Sequence, residues 1–217
     1  MILAIDTTSE FGSIALMRGP EDIDEVILRS PDGFAHVLYP HIRWLLERHA
    51  VALRDIECFA AAAGPGSFTG VRVGLAAAKG LAEATGRPAA GISNLRGLAV
   101  FGARPLRATI LDARRGEAYA AVYNEDLRMI CPEVVTALPA WIAALPAGDL
   151  EFIATDFAPF RPALAGTRFA GAHIVTAPRA LAGAIARIAW QGREFADPAA
   201  LDANYVRRSD AELFWKE

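Results

Sequence analysis

The sequence has little cysteine, and its two cysteines, Cys58 and Cys131, stand far apart. No zinc-ligand spacing and no disulfide framework is present, which fits a reducing, cytoplasmic setting. Cys58 lies in the apolar run of residues 56–63 and reads as a core residue. Cys131 precedes Pro132 near a strand signal, with no metal partner or base paired to it. Long apolar runs are also missing. No stretch of about 18 apolar residues is free of charge, which excludes a transmembrane helix. A basic excess is absent too: 22 Lys and Arg against 25 Asp and Glu leave a net charge of −3. Such a chain is not built to wrap nucleic acid alone, and any bound RNA would take most of its phosphate contacts from elsewhere. The opening residues 1–10 carry no basic leader and reach Asp6 early, so they read as a buried strand, not a secretory signal. No low-complexity linker interrupts the chain.

What is there is an alternation of strand and helix signals over 217 residues, enough for one large domain or two lobes. Residues 2–5 and 12–17 read as a β-hairpin joined by a polar turn, with 25–29 as a third strand. Residues 34–49 place Phe34, Val37, Leu38, Ile42, Leu45 and Leu46 at helical spacing. Pro40 should kink that helix or mark its start. Residues 56–63 form an uninterrupted apolar run, as in a strand buried on both faces. A small-residue helix over 71–85, a strand over 88–92 and a helix over 94–101 follow. The pattern then restarts. Ile2-Leu3-Ala4-Ile5-Asp6 and Thr109-Ile110-Leu111-Asp112 each end an apolar strand in Asp, pass through a turn holding a Gly, and return as a strand. A repeat close to half the chain length implies two lobes of related topology, 1–104 and 105–217, meeting at Gly102-Ala103-Arg104-Pro105. Further helices are expected over 141–145 and 180–191 and a strand over 151–154. In the polar tail, Asn204 to Arg208 is expected to dock back on the body.

Residues 60–82 join a buried strand to a helix through a glycine-rich turn, a context able to cradle a phosphate. The letters fail the familiar motifs. Val71 follows Gly70 where a Walker loop needs Lys. Pro65 and Thr69 flank Ser67 where a nucleophile elbow needs Gly. Thr69 stands where a dinucleotide fingerprint needs its third Gly. Along the helix, Gly70, Gly74, Ala78 and Ala82 recur every four residues and give one nearly bare face. Each helical Gly costs on the order of 1 kcal/mol against Ala. Close approach of another helix, in the same lobe or in a partner chain, would offset that cost.

These segments, Asp6-Thr7-Thr8-Ser9, the run from Gly64-Pro65-Gly66 through Gly74-Leu75 to Ala78-Lys79-Gly80, and Leu111-Asp112-Ala113-Arg114-Arg115-Gly116-Glu117, resemble the TsaB (YeaZ) family. The resemblance is strong over residues 1–125 and weak beyond, through Asn204-Tyr205-Val206-Arg207. It implies an α/β, two-lobed actin-like ATPase fold (ASKHA, ribonuclease H-like) with duplicated mixed-sheet lobes. It also implies a role in making N6-threonylcarbamoyladenosine (t6A) in tRNAs that read ANN codons. In that family TsaB pairs with the catalytic paralogue TsaD and works with the ATPase TsaE, through helices of the N-terminal lobe. Carried onto this chain, the interface falls on His36, Leu38, His41, Phe68, Thr69, Gly70, Arg72, Val73, Gly74, Ala77 and Ala78. A homodimer through the same face is expected when the chain is alone, with tRNA met only within the complex. On this reading Gly74→Leu should abolish pairing and spare the fold.

Catalysis by the chain alone is not expected. The paralogue's metal site uses two histidines four residues apart, whereas His36 and His41 are five apart, about 140° around a helix. Asp6, Thr7 and Asp112 sit where actin-like ATPases face nucleotide and magnesium, so a vestigial nucleotide site is one reading. The other is that both carboxylates cap turn N–H groups. No tightly bound cofactor is expected, with ATP or ADP and magnesium entering only at the level of the complex. A small actin-fold ATPase or sugar kinase acting alone is the alternative. It would need a further Asp base and clear phosphate loops in both lobes.

Overall fold

A computed structural model describes residues 1–207 and divides the chain into two compact units. The first comprises Met1–Gly97 and Arg179–Asn204. The second comprises Leu98–Pro178 with 205–207 of the described tail.

In the first unit, β1 (Ile2–Asp6) pairs antiparallel with β2 (Phe11–Gly19) and parallel with β4 (Cys58–Gly64). It is therefore interior to its sheet, and every one of its residues is buried. β3 (Asp22–Arg29) and β5 (Ala89–Ser93) complete the order β3-β2-β1-β4-β5. The unbroken apolar runs of β1 and β4 follow from cover on both faces. On one face, α1 (Ala35–Arg48) and α2 (Phe68–Thr85) share a core with Leu3, Ile5, Ile14, Leu16, Phe59 and Ala61. Alternation turns Ala4, Ala15 and Ala60 to the other face, where α5 (Ala182–Gly192) packs against β1, β2 and β4. Helix α5 has no side-chain cap of its own. Ser13 Oγ accepts from Ala182 N (3.0 Å) and Glu25 Oε1 from Gly183 N (3.0 Å), so β2 and β3 supply the missing acceptors.

Helix α1 runs through Pro40, which therefore does not mark its start. The expected division at 104/105 also differs from the observed units. Residues 179–204 return to the first unit because the buried stripe of α5 covers the first sheet.

The short helix α3 (Asn94–Ala99) leads to the second sheet, formed by β6 (Leu106–Asp112), β7 (Ala118–Asn124), β8 (Met129–Thr136), β9 (Leu150–Ala154) and β10 (His173–Thr176). Its order, β10-β9-β6-β7-β8, repeats the first sheet: two antiparallel pairs on one side of the founding strand and two parallel pairs on the other. Asp6 ends β1 and Asp112 ends β6, so the internal repeat read from the letters is a repeat of topology. Its core joins α4 (Leu138–Ala144) to Phe152, Phe157, Phe160 and Phe169. Phe152 and Phe169 meet edge-on with ring centroids 5.5 Å apart.

Candidate functional site

The turn leaving β1 and the glycine loop leaving β4 fit into one another. Asp6 Oδ1 accepts from Thr8 N (2.9 Å) and Thr8 Oγ1 (2.6 Å). Thr8 Oγ1 accepts in turn from Asn94 Nδ2 (2.5 Å), and Asn94 Oδ1 accepts from Gly64 N (3.0 Å). Thr8 O accepts from Ser67 N at 2.7 Å. Asp6, Thr7, Thr8 and Asn94 are all buried, so this is a polar network inside the unit with its groups paired to one another. Burial pushes the Asp6 carboxyl up to about 6, against the pull of its Thr8 hydrogen bonds and with a small push from Glu25.

Gly66 and Gly70 permit this fit. A Cβ on Gly70 would stand 1.9 Å from Thr7 O, and one on Gly66 2.6 Å from Thr8 O. Thr7 Oγ1 donates to Gly70 O at 2.6 Å, and a Cβ on Gly74 would stand 2.7 Å from that hydroxyl. At the start of α2, Ser67 Oγ accepts from Gly70 N at 3.3 Å. The space a phosphate would need beside these glycines is filled by the chain's own turn. This glycine loop therefore packs on its own chain at the positions where it would cradle a phosphate.

The expected bare face of α2 is thereby corrected. Gly70, Gly74, Ala77, Ala78 and Ala82 are buried, and at Gly70 and Gly74 the close approach is made by Thr7 of the β1 turn. Leu38, also placed at the interface from the sequence, is 1% exposed because it points into the sheet-facing core of α1. The remaining expected positions divide by exposure. His36, Phe68, Thr69 and Arg72 are exposed, while His41 and Val73 are half-buried. The Arg72 guanidinium stacks 3.7 Å above the Phe68 ring. Two exposed aromatics of α1, Tyr39 (51%) and Trp44 (47%), were missed by sequence reasoning. Their signal is an aromatic off the buried 38–42–45 stripe of an amphipathic helix. Gly80 was missed as well. It is exposed, and a Cβ there would meet nothing within 4 Å.

In the second unit, Asp112 Oδ1 accepts from Arg114 N at 2.8 Å, the same two-residue reach that Asp6 makes. Both carboxylates thus cap turn N–H groups. Asp112 differs in being exposed, and Arg114 and Arg115 follow it at φ of 65° and 57°, the left-handed region. Arg207 donates to Ala113 O (2.8 Å) and pairs with Glu117, while Asn204 N reaches Ala63 O (2.8 Å) in the first unit. The tail docks at these points; Arg208 and Trp215 lie outside the described residues.

Three histidines have structural partners. His41 Nδ1 lies 2.7 Å from Val37 O, His49 Nε2 2.8 Å from Asp24 Oδ2, and His173 Nδ1 2.9 Å from Glu151 Oε2. Among the described residues no group of three or more His, Cys, Asp and Glu side chains is placed to hold a metal. Cys58 is buried, and that burial pushes its thiol up to about 12, leaving it inert as a nucleophile. Among the described residues no helix is long and apolar enough to cross a membrane.

Comparison with known proteins places these features in context. A family model described as "TsaD: tRNA N6-adenosine threonylcarbamoyltransferase" matches residues 32–182. The "tRNA threonylcarbamoyladenosine biosynthesis protein TsaB" of Bacillus subtilis is 32% identical over 229 aligned positions, covering 100% of this chain and 98% of that protein. The Escherichia coli protein of the same name is 37% identical over 58% of this chain and 55% of its own length. Among solved structures, the one titled "YeaZ from Pseudomonas aeruginosa" superposes with a TM-score of 0.79 at 26% identity, covering 94% of this chain and 98% of that one. A second, with similarity to peptidase YEAZ and from the same organism, gives a TM-score of 0.80 at 27% identity, covering 95% and 99%. The two five-stranded mixed sheets thus belong to an α/β fold of the actin-like class.

Proposed function

Since this chain belongs to the TsaB (YeaZ) family, we propose that it is a non-catalytic partner subunit in t6A biosynthesis, pairing with a TsaD-like catalytic paralogue. The single observation that carries this reading is the filled glycine loop. Thr7 and Thr8 fill the space beside Gly66 and Gly70 that a phosphate cradled by this loop would need. The Gly70 N–H at the start of α2 and the buried Asp6 carboxylate are both engaged by the chain itself, through Ser67 and Thr8. Nucleotide and magnesium then enter only with the complex, through the paralogue and an ATPase of the TsaE kind, in the cytoplasm.

The docking face is the outer side of α1 and α2, which cover the same face of the first sheet. Tyr39, Trp44 and the Phe68–Arg72 stack supply exposed aromatic anchors, the residue types that dominate interface energetics. On α2 the outward positions near Phe68 continue as Thr69, Val73, Ala76 and Gly80, small or half-buried side chains over which a second helix can approach closely. The chain pairs with itself through this face when the paralogue is absent. Reconstitution with purified paralogue, ATPase and tRNA, with this chain added or omitted, tests the reading. Product that depends on the chain, with none from the chain alone, supports it. ATP hydrolysis or sugar binding by the isolated chain would instead favour a kinase-like enzyme.

A further inference from the structure

The second unit holds an open cleft of about 920 Å³ that no part of the proposed pairing uses. Its walls come from the segment before β9, the 3-10 turn Arg161–Leu164, and the approach to β10. Three arginines, Arg104, Arg161 and Arg168, line it together with Phe169 and His173. Their states differ in a telling way. The Arg161 guanidinium is exposed, and no described residue takes it. Arg104 pairs with Asp149 at 3.1 Å, but both side chains are about half exposed. Exposed pairs of this kind add little stability and exchange readily for a better anion. Arg168 donates to the carbonyl oxygens of Leu145 and Pro146 and lies 4.8 Å from the Phe169 ring, which fixes its guanidinium at the cleft wall.

The acidic groups nearby do not cancel this charge at the surface. Glu151 is fully buried, its Oε1 accepting from the N–H groups of Ala103 (2.5 Å) and Arg104 (2.7 Å). Its Oε2 lies 2.9 Å from His173 Nδ1, so the buried carboxyl is engaged with the imidazole of a residue in the cleft wall. Asp149 is the one carboxylate among the lining residues, Glu151 lying behind the wall. The net result is a local excess of positive charge on a chain whose total is −3.

We infer that this cleft is a docking site for the phosphodiester backbone of the RNA substrate. The inference rests on the function proposed above. Guanidinium groups match phosphate oxygens in pairs, and an open cleft with exposed arginines suits a strand that runs past it, whereas a small anion is held by enclosure. Three arginines supply two or three contacts, too few to hold RNA alone and enough to orient it in a complex.

The test uses the assembled complex and measures tRNA affinity against salt concentration, with Arg161→Glu and the milder Arg104→Gln/Arg161→Gln pair. Both sites are exposed, and an unchanged unfolding midpoint checks the fold. The expected result is about tenfold weaker binding for the reversal, uniform across tRNA sequences, and a salt slope shallower by about one per arginine lost. Unchanged affinity and slope, in a complex that still needs this chain for t6A formation, overturns the site and leaves the function standing. Inorganic phosphate bound by the isolated chain, with tRNA affinity untouched by the variants, assigns the cleft to a small anion and also overturns it. A wild-type chain that adds nothing to t6A formation overturns the proposed function, and this site falls with it.

Discussion

Thr7 and Gly70 are locked together from both sides: the Thr7 hydroxyl donates to the Gly70 carbonyl at 2.6 Å, and the Thr7 carbonyl oxygen lies 1.9 Å from where a Gly70 Cβ would stand. Residues 63 positions apart thus fix the start of α2 against the end of β1. A glycine loop that looks fit for a phosphate serves here as a clamp within the unit.

Gly70→Ala should therefore cost about 3 kcal/mol or more, because the obstructing atom is backbone and cannot turn aside. Denaturant unfolding measures this. A variant as stable as the parent would mean that the clamp is not as described.

Gly80 should behave in the opposite way. Gly80→Ala meets open space in a helix interior and should stabilise by up to about 1 kcal/mol. Gly80→Leu should keep the fold yet block pairing with the catalytic paralogue. Co-purification separates the cases. A Gly80→Leu chain that still pairs would move the docking face elsewhere. Gly74→Leu no longer serves this purpose, since it would strike Thr7 and damage the unit itself.

Phe68→Ala should leave unfolding within about 0.5 kcal/mol of the parent, because the ring is 48% exposed. It should weaken pairing at least about tenfold, the effect of losing an aromatic anchor. Binding measured by calorimetry or light scattering decides. Lost stability with intact pairing would assign Phe68 to the fold alone.

The raised Asp6 carboxyl makes stability depend on pH in a definite direction. Its value of about 6 in the folded chain exceeds the ordinary 3.8, so the folded state holds the proton over the intervening range. The stabilisation from this group is present below about pH 4 and is lost as pH rises towards 6, with a size on the order of 3 kcal/mol. Asp6→Asn should remove that slope, seen by comparing unfolding free energies of parent and variant between pH 4 and 7. Parallel profiles would contradict the assignment.

Much of the fold was legible because the strands obey simple patterning. The apolar runs of β1, before its final Asp6, and of β4 announce cover on both faces, and the two Asp-ending strands, β1 and β6, announce the repeat. Other features depend on partners distant in sequence. The stripe of α5 says that it is buried but not which sheet it covers, so its return to the first unit was invisible. Helix α2 is small-sided almost all round, and its letters do not say that Gly70 and Gly74 look inward at Thr7 while Gly80 looks out. Strand β8 was only hinted at beside Cys131, since Pro132 breaks its alternation and is tolerated at a sheet edge. The cleft in the second unit could not be read at all, because its arginines come from segments whose spacing has no period.

The most direct test of the central claim is t6A formation on tRNA by the purified paralogue and ATPase, with this chain present or absent. The account predicts product only when the chain is present and none from the chain alone. Equal product without it, or product from the chain by itself, would contradict the claim that this is a required, non-catalytic partner.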